Sequence, residues 1–261
     1  MITPKVPTYV LPGGSPLPLL GLGTWQLEGT QAVDAVAFAL DIGYRHVDTA
    51  TGYSNEAEVG RGLVESGVAR TLVFVTTKCP PENVGHERET IQQSLNDLAL
   101  DYVDLWLVHW PPNGEARPET WREFIRARDD ELVREIGVSN YSIAQIDELI
   151  EATGVTPAVN QVPWSPKDFD PDLLAAHTER GIVLEAYSPL KRTDLNGSLL
   201  REIAEEYGVT PSQVVLQWHL AHGIAVIAKS AHHARITANL DAVGFALAAD
   251  DVAAIDALGN G

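Results

Sequence analysis

Four side chains that can hold or transfer a proton stand at the ends of three strand-like segments. They are a carboxylate, a phenol, an ammonium and an imidazole, carried by Asp48, Tyr53, Lys78 and His109. A phenol with a pKa of ~10 is a weak acid at neutral pH, and a neighbouring ammonium lowers that pKa. We therefore predict that Tyr53 donates a proton to a carbonyl oxygen and that Lys78 lowers the pKa of Tyr53. Asp48 would keep Lys78 charged and in place, while His109 would orient the carbonyl or share the proton.

Each of these residues also has an ordinary structural explanation. Asp48 can cap the turn that follows it, Lys78 can pair with any acid of an acidic protein, and His109 can be a hydrogen-bonded residue without a catalytic role. Their joint occurrence at neighbouring strand ends favours catalysis over separate structural roles.

Strand-like and helix-like segments alternate along the chain, and several strands are apolar throughout, which is typical of a buried parallel sheet. The predicted strands cover residues 19–23, 45–49, 72–77, 103–109, 135–138, 158–161, 183–186 and 225–228. Eight strand–helix units favour a closed (β/α)8 TIM barrel over a doubly wound sheet. The carboxyl ends of the strands share one rim of such a barrel, so the four proton-transferring side chains would meet there.

The remaining segments complete the predicted architecture. A Pro-Gly-Gly-Ser turn at residues 12–15 lies between two short apolar runs, which predicts an N-terminal β-hairpin closing the bottom of the barrel. Helices are predicted over residues 30–42, 89–100, 142–151 and 250–258, and from 55 and 211 onward. Ser142 is followed by Gln145, which is typical of a capping box. Because no linker or composition shift divides the chain, we expect a single domain over residues 1–261.

The net charge of the chain limits the classes of partner that can be expected. Asp and Glu total 36 against 18 Lys and Arg, which gives a formal net charge of −18. Such a chain repels phosphate groups, so nucleic acid and anionic membranes are not expected as partners. Arginine supplies most of the positive charge, and this pattern predicts an acidic surface of the halophilic type, where salt screens the self-repulsion.

The rest of the composition indicates a cytoplasmic protein. Cys79 is the lone cysteine, so no intrachain disulfide can form. No apolar run reaches the length of a membrane span, and the first residues do not form a signal segment. We expect a small-molecule partner, no membrane partner and, because no interaction helix is evident, a monomer.

The chain resembles the aldo-keto reductases through motifs that follow one another in the same order. The most specific is Asp-Thr-Ala-x-x-Tyr-x-Asn-Glu, which begins at Asp48. Further matching segments lie at residues 21–25, 77–78, 109–111, 137–140, 160–161, 187–190 and 227–239. Several ordered motifs are far more specific than one short glycine motif. The resemblance spans nearly the whole chain, which is most similar to the prokaryotic diketogluconate-reductase-like branch.

This resemblance implies an NADPH-dependent reductase of aldehydes or ketones with a broad substrate range. Hydride would pass from the nicotinamide to the carbonyl carbon while Tyr53 protonates the oxygen. Tyr187 would stack on the nicotinamide ring, and Ser139, Asn140 and Gln161 would bind its carboxamide. The other cofactor residues that the resemblance implies are Gly23, Thr24, Ser188, Leu190, Lys229, Ser230, Arg235 and Asn239.

A phosphate site near the last strands is a recurrent feature of the barrel. Lys229 would act there as a point charge and Arg235 as a planar donor to a 2′-phosphate. NADPH is therefore favoured, with NADH as a less favoured alternative. Ala238 stands where family members usually carry a glutamate that contacts adenine.

The substrate pocket is predicted to be open. Trp25 and Trp110, with Trp164 as a further candidate, would line it beside His109. The loop after His109 is short, and the sequence ends soon after the predicted helix 250–258. Both features predict loose selection among small carbonyl compounds.

Two other classes of function stay open. His46 and Asp48 share one face of a strand, so with His109 they could ligate a metal in a barrel hydrolase. Lys78 would oppose a cation there, and no clear ligand set is present, so no metal site is predicted. The chain could also be a non-catalytic barrel that senses a cofactor and binds partner proteins.

Overall fold

The computed structural model describes residues 5–260, in which ten β-strands and ten α-helices alternate with short 3-10 turns. Two strands form an antiparallel hairpin, β1 (Thr8–Val10) and β2 (Pro16–Pro18). The other eight form a closed parallel barrel: β3 (Leu20–Gly23), β4 (His46–Asp48), β5 (Phe74–Cys79), β6 (Val103–Val108), β7 (Val133–Ser139), β8 (Val159–Pro163), β9 (Val183–Tyr187) and β10 (Ala225–Lys229). The predicted barrel with its N-terminal hairpin is confirmed.

The helices pack on the outside of the barrel, where their apolar faces bury the outward side chains of the strands. They are α1 (Gly29–Ile42), α2 (Glu56–Glu65), α3 (Glu87–Leu98), α4 (Pro118–Asp129), α5 (Ile143–Thr153), α6 (Pro171–Glu179), α7 (Ser198–Tyr207), α8 (Pro211–Ala221), α9 (His233–Asp241) and α10 (Ala249–Asp256). Within residues 5–260, none of them is long and apolar enough to cross a membrane.

The strands follow one another around the barrel in chain order, and β10 closes it against β3. The closing register pairs Val226 with Leu20 and Lys229 with Gly23. Because every neighbouring pair is parallel, the carboxyl ends of all eight strands lie at the same rim.

The hairpin covers the opposite end of the barrel. Leu11 and Leu17 are buried and pack in one cluster with residues from the beginnings of the barrel strands, among them Phe74 and Ala225. Apolar burial of this kind is the main force that holds such a plug in place. The interior below the rim is therefore closed to water from beneath.

Local sequence sets several element boundaries. Capping boxes begin α5 at Ser142 and α8 at Thr210, and each satisfies two backbone N–H groups at the helix start. β5 begins at Phe74 rather than at the predicted residue 72, because Arg70–Leu72 form a 3-10 turn. The same strand continues through Lys78 to Cys79, two residues beyond its predicted end at residue 77.

Candidate active site

Three adjacent strands bring the four proton-transferring side chains together at the carboxyl rim. Asp48 is the last residue of β4, Lys78 lies within β5, and His109 directly follows β6. Tyr53 belongs to the 3-10 turn Thr51–Tyr53, just beyond β4. These positions are the ones expected from the strand pattern.

Lys78 is the centre of the group and is fully buried. Its Nζ donates to Asp48 Oδ1 at 2.7 Å and to the backbone oxygen of Thr49 at 2.7 Å. A third donor reaches the hydroxyl oxygen of Tyr53 at 3.4 Å. An ammonium has three N–H donors, so all of them are used, and one is directed at the phenol.

Burial and neighbouring charges set the ionisation of Lys78 and Tyr53. Burial alone would lower the pKa of Lys78, but the charges of Asp48 and then Tyr53 outweigh it and raise that pKa. Lys78 is therefore a permanent cation. The pKa of Tyr53 is raised rather than lowered, because burial outweighs the opposing effect of Lys78, and Asp48 adds to the increase. The predicted lowering of the Tyr53 pKa is therefore wrong for the free protein, in which the phenol keeps its proton at neutral pH.

His109 faces Tyr53 with its ring at a steep angle. The two ring centroids are 5.7 Å apart and the planes meet at 74°. Burial first, and then the charge of Lys78, lower the pKa of His109 to about 4, against a smaller opposing effect of Asp48. The imidazole is neutral at neutral pH, so it can orient a carbonyl through a ring N–H but has no extra proton to give.

Asn55 fixes the turn that carries Tyr53. Its Nδ2 donates to the backbone oxygens of Thr24 and Leu27 at 2.8 and 2.9 Å. Its Oδ1 accepts from Thr49 Oγ1 at 3.0 Å. Because Asn55 is buried and has all three of these bonds, the phenol stands on a rigid loop. Sequence reasoning gave Asn55 no role of its own, although it belongs to the motif that begins at Asp48.

A cavity of about 690 Å³ opens above these residues. Most of the predicted catalytic, cofactor and substrate residues line it: Gly23, Trp25, Asp48, Tyr53, His109, Trp110, Ser139, Asn140, Gln161, Tyr187, Ser188, Leu190 and Lys229. Lys78 lies beneath the floor. Lys191 also lines the cavity, and sequence reasoning missed it because the loop after β9 has no regular pattern.

Two predicted residues have their side chains turned away from this cavity. Trp164 is buried at 2% exposure and packs against Phe169, so its predicted place in the substrate pocket is wrong. Thr24 is fully buried, and its hydroxyl donates to the backbone oxygen of Asp48 at 3.0 Å. Thr24 therefore supports the end of β4.

Polar side chains from β7, β8 and β9 form one wall of the cavity. Asn140 Nδ2 donates to Ser139 Oγ at 2.9 Å, and its Oδ1 accepts from the hydroxyl of Tyr187 at 2.9 Å. Gln161 Nε2 donates to Asp48 Oδ2 at 2.8 Å. Since its nitrogen faces a carboxylate, Gln161 leaves its oxygen for the cavity. A flat ring and a small set of fixed amide groups can hold a planar carboxamide-bearing ring.

A second polar region follows β10. Lys229 is exposed at the strand end, and Ser230 is buried with its Oγ accepting from the backbone N–H of His232 at 3.1 Å. Arg235 is exposed on α9, where Asn239 is buried. Two cations beside a helix N-terminus can bind a phosphate group.

The alternative metal site does not form. His46 places Nδ1 3.2 Å from the backbone oxygen of Pro18 and Nε2 3.0 Å from Thr76 Oγ1, so both ring nitrogens are used. In the part of the chain that the structure describes, no group of three or more His, Cys, Asp or Glu side chains could hold a metal ion.

Comparison with known proteins decides the family. The model of the Aldo/keto reductase family matches residues 19–260. The chain belongs to the aldo/keto reductase family. This member is therefore an oxidoreductase, and the sequence resemblance is confirmed.

Its relatives include prokaryotic reductases. This aldo/keto reductase is 46% identical to 2,5-diketo-D-gluconic acid reductase B of Corynebacterium sp., over 99% of the chain and 95% of the relative. It is 38% identical to methylglyoxal reductase DkgA of Escherichia coli, over 98% of the chain and 94% of the relative.

Solved structures agree with the fold. An aldo/keto reductase from Brucella melitensis superposes with a TM-score of 0.95 at 41% identity, over 99% of both chains. The Bombyx mori aldo-keto reductase, solved in complex with NADP, superposes with a TM-score of 0.89 at 30% identity, over 98% of this chain and 94% of that one.

Proposed function

We propose that this aldo/keto reductase reduces aldehydes and ketones to alcohols with NADPH and that Tyr53 is the proton donor. The observation that carries the proposal is the buried Lys78, whose Nζ lies 2.7 Å from Asp48 Oδ1 and 3.4 Å from the Tyr53 hydroxyl. A cation held at this place favours the phenolate that remains after the proton has left.

The proton balance follows from the ionisation of the free protein. Tyr53 keeps its proton because burial raises its pKa. It donates this proton to the carbonyl oxygen, and the resulting phenolate lies beside Lys78 until water in the open cavity returns a proton. His109 is neutral, so it donates a ring N–H to the same oxygen and orients the carbonyl. The reduced nicotinamide, when bound, supplies the hydride to the carbonyl carbon.

The wall of the cavity fits a nicotinamide. The Gln161 oxygen is free to accept from a carboxamide, and Asn140 and Ser139 lie next to it along β7. Tyr187 presents an aromatic ring held through its hydroxyl by Asn140. A structural neighbour solved in complex with NADP supports NADP as the cofactor of this chain.

The region after β10 would bind the 2′-phosphate. Lys229 and Arg235 are exposed cations in a chain with a net charge of −18. Ser230 and Asn239 flank them with polar groups. Two exposed cations near the start of α9 in so acidic a protein favour NADPH over NADH, which lacks this phosphate.

We propose a broad range of small carbonyl substrates. Trp25 and Trp110 stand at the cavity opening with 47% and 48% of their surfaces exposed, so they contact a substrate without enclosing it. Relatives of this chain are named for two different carbonyl compounds, a diketo sugar acid and methylglyoxal.

The proposal is tested by adding NADPH and following tryptophan fluorescence, and then by adding a panel of aldehydes, diketones and keto sugars. Trp25 and Trp110 line the cavity, so we expect the fluorescence to be quenched and NADPH to be oxidised with several members of the panel. If NADPH is bound but no carbonyl compound is reduced, the chain is a cofactor-binding barrel and the proposal is wrong.

A further inference from the structure

A second carboxyl group is buried inside the barrel, beneath the pair of Asp48 and Lys78, and the reaction proposed above does not use it. Glu185 lies on β9 and is fully buried. Its Oε2 accepts from Gln161 Nε2 at 2.5 Å, whereas its Oε1 has no hydrogen-bond partner among the residues that the structure describes. A buried ionised carboxylate with a free oxygen is strongly disfavoured. An apolar residue would fill this position with less cost, so packing alone does not explain the acid.

Four charged or titratable groups interact with Glu185. They come from β4, from the turn after it and from β5: His46, Asp48, Tyr53 and Lys78. Gln161 faces Glu185 from β8, and on the other side β10 places Ala225 opposite it in the register. None of these groups is a cation free to pair with Glu185.

Neither of the two basic groups near Glu185, His46 and Lys78, is available to neutralise its carboxylate. His46 Nε2 lies 3.9 Å from Glu185 Oε1, but burial lowers the pKa of His46 to about 4, so it is neutral. Lys78 is balanced by Asp48 at 2.7 Å. Burial first, and then the charge of Asp48, raise the pKa of Glu185 to about 8 against smaller lowering effects of Gln161 and Lys78. Glu185 therefore carries a proton at neutral pH.

Glu185 lies directly behind the wall that would hold the nicotinamide. Gln161 Nε2 contacts both Glu185 and Asp48, and the same residue lines the cavity. Tyr187, which also lines the cavity, is two residues further along β9, so both side chains point to the barrel interior with their Cα atoms roughly 7 Å apart. A charge placed against the Tyr187 ring therefore acts on Glu185 through the buried interior of the barrel.

We propose that Glu185 is a positioning residue that couples one proton to the redox state of the cofactor. It keeps the proton beside a reduced, uncharged nicotinamide and releases it to solvent beside an oxidised, positively charged ring. The carboxylate formed then balances the ring charge. The inference rests on the proposed function, because it requires the nicotinamide to lie against Tyr187 and Gln161.

The size of the effect follows from Coulomb's law. A unit charge on the order of 10 Å from Glu185, at an effective dielectric constant of ~20, changes the proton affinity by roughly tenfold. The pKa of Glu185 would fall from about 8 in the free protein. As pH rises through the window just below that value, NADP⁺ should bind more tightly, since the proton no longer has to be released. NADPH carries the same phosphates but no ring charge, so it should not show this change.

The test measures the dissociation constants of NADP⁺ and NADPH by fluorescence quenching across this pH range. For the natural sequence, the ratio of the NADP⁺ constant to the NADPH constant should fall by about tenfold as pH rises. The variant Glu185→Gln keeps the shape and the bond to Gln161, and its ratio should not change with pH. Glu135→Gln alters another buried acid, at the opposite end of the barrel, and should behave like the natural sequence.

Tyr53→Phe removes the other titratable proton of the site, so any pH dependence that remains comes from Glu185. In this variant the ratio of the two dissociation constants should still change with pH. A ratio that is flat for the natural sequence, that still changes in Glu185→Gln, or that becomes flat in Tyr53→Phe would overturn the inference. If Glu185→Gln does not fold, calorimetry in buffers of different ionisation enthalpy measures the proton release independently of that variant. Proton release by the natural sequence and by Tyr53→Phe on binding NADP⁺, but not NADPH, is expected, and its absence refutes the coupling. If NADPH does not bind at any pH, the proposed function itself is wrong.

Discussion

Replacing Lys78 by methionine should destabilise the fold strongly, because it leaves a charge buried without a partner. Methionine has nearly the length of lysine, so the change removes the ammonium and little volume. Asp48 is only 3% exposed, and its Oδ1 would lose the donor that now lies at 2.7 Å. Removing one member of a buried ion pair costs about 3–5 kcal/mol, because the remaining charge stays desolvated. We expect the free energy of unfolding of Lys78→Met to fall by that amount.

Two variants show whether the missing charge is the cause. The double variant Lys78→Met/Asp48→Asn has no buried charge at this place and should recover most of the loss. Arg61→Met removes one member of an exposed pair with Glu58, whose atoms are 2.8 Å apart, and exposed pairs contribute about 0–1 kcal/mol. Urea denaturation followed by circular dichroism measures all three variants. A loss below ~1 kcal/mol in Lys78→Met, or a double variant as unstable as the single one, would refute the reasoning.

Three further predictions concern the cavity. The neutral form of His109 persists down to its pKa of about 4, so the rate of reduction should stay level as pH falls toward that value; a decline centred on the ordinary histidine pKa near ~6.5 would show that His109 is not desolvated. Arg235→Ala should raise the dissociation constant of NADPH more than that of NADH, and equal changes would exclude a role in binding the 2′-phosphate. Trp110→Ala should raise KM for bulky aldehydes while urea denaturation stays unchanged, because the side chain is 48% exposed; a large loss of stability would place Trp110 in the core instead.

The fold could be predicted because buried parallel strands are apolar and helices begin at recognisable residues. All eight barrel strands lie where apolar runs occur, and the capping box at Ser142 begins α5 as expected. The limits of the strands were harder to predict. β5 was predicted to end at residue 77, yet it continues to Cys79, and the charge of Lys78 points into the barrel and is satisfied by Asp48 and Tyr53.

The site shows where sequence reasoning stops. The four proton-transferring residues could be found because each stands near the carboxyl end of a strand or just beyond it. The direction of the pKa shift of Tyr53 could not, since it depends on burial, and burial outweighs the nearby cation. Trp164 could not be separated from Trp25 and Trp110 by type or spacing, and only packing shows that it lies in the core.

Glu185 was missed because a single acid in an otherwise apolar strand does not by itself indicate a functional residue. Its position in the strand, however, indicates that it faces the barrel interior. It is two residues before Tyr187, so the two side chains share the inward face of one strand. An acid on that face is buried inside the barrel and removed from bulk solvent.

The most direct test of the central claim is the rate of carbonyl reduction by Tyr53→Phe, measured in a single turnover with NADPH already bound. The variant loses one hydroxyl and keeps the ring, so NADPH should bind with nearly unchanged affinity. Reduction should slow by roughly 10²–10⁴-fold, which is the usual contribution of a general acid. A variant that binds NADPH and reduces the carbonyl at the natural rate would show that Tyr53 is not the proton donor.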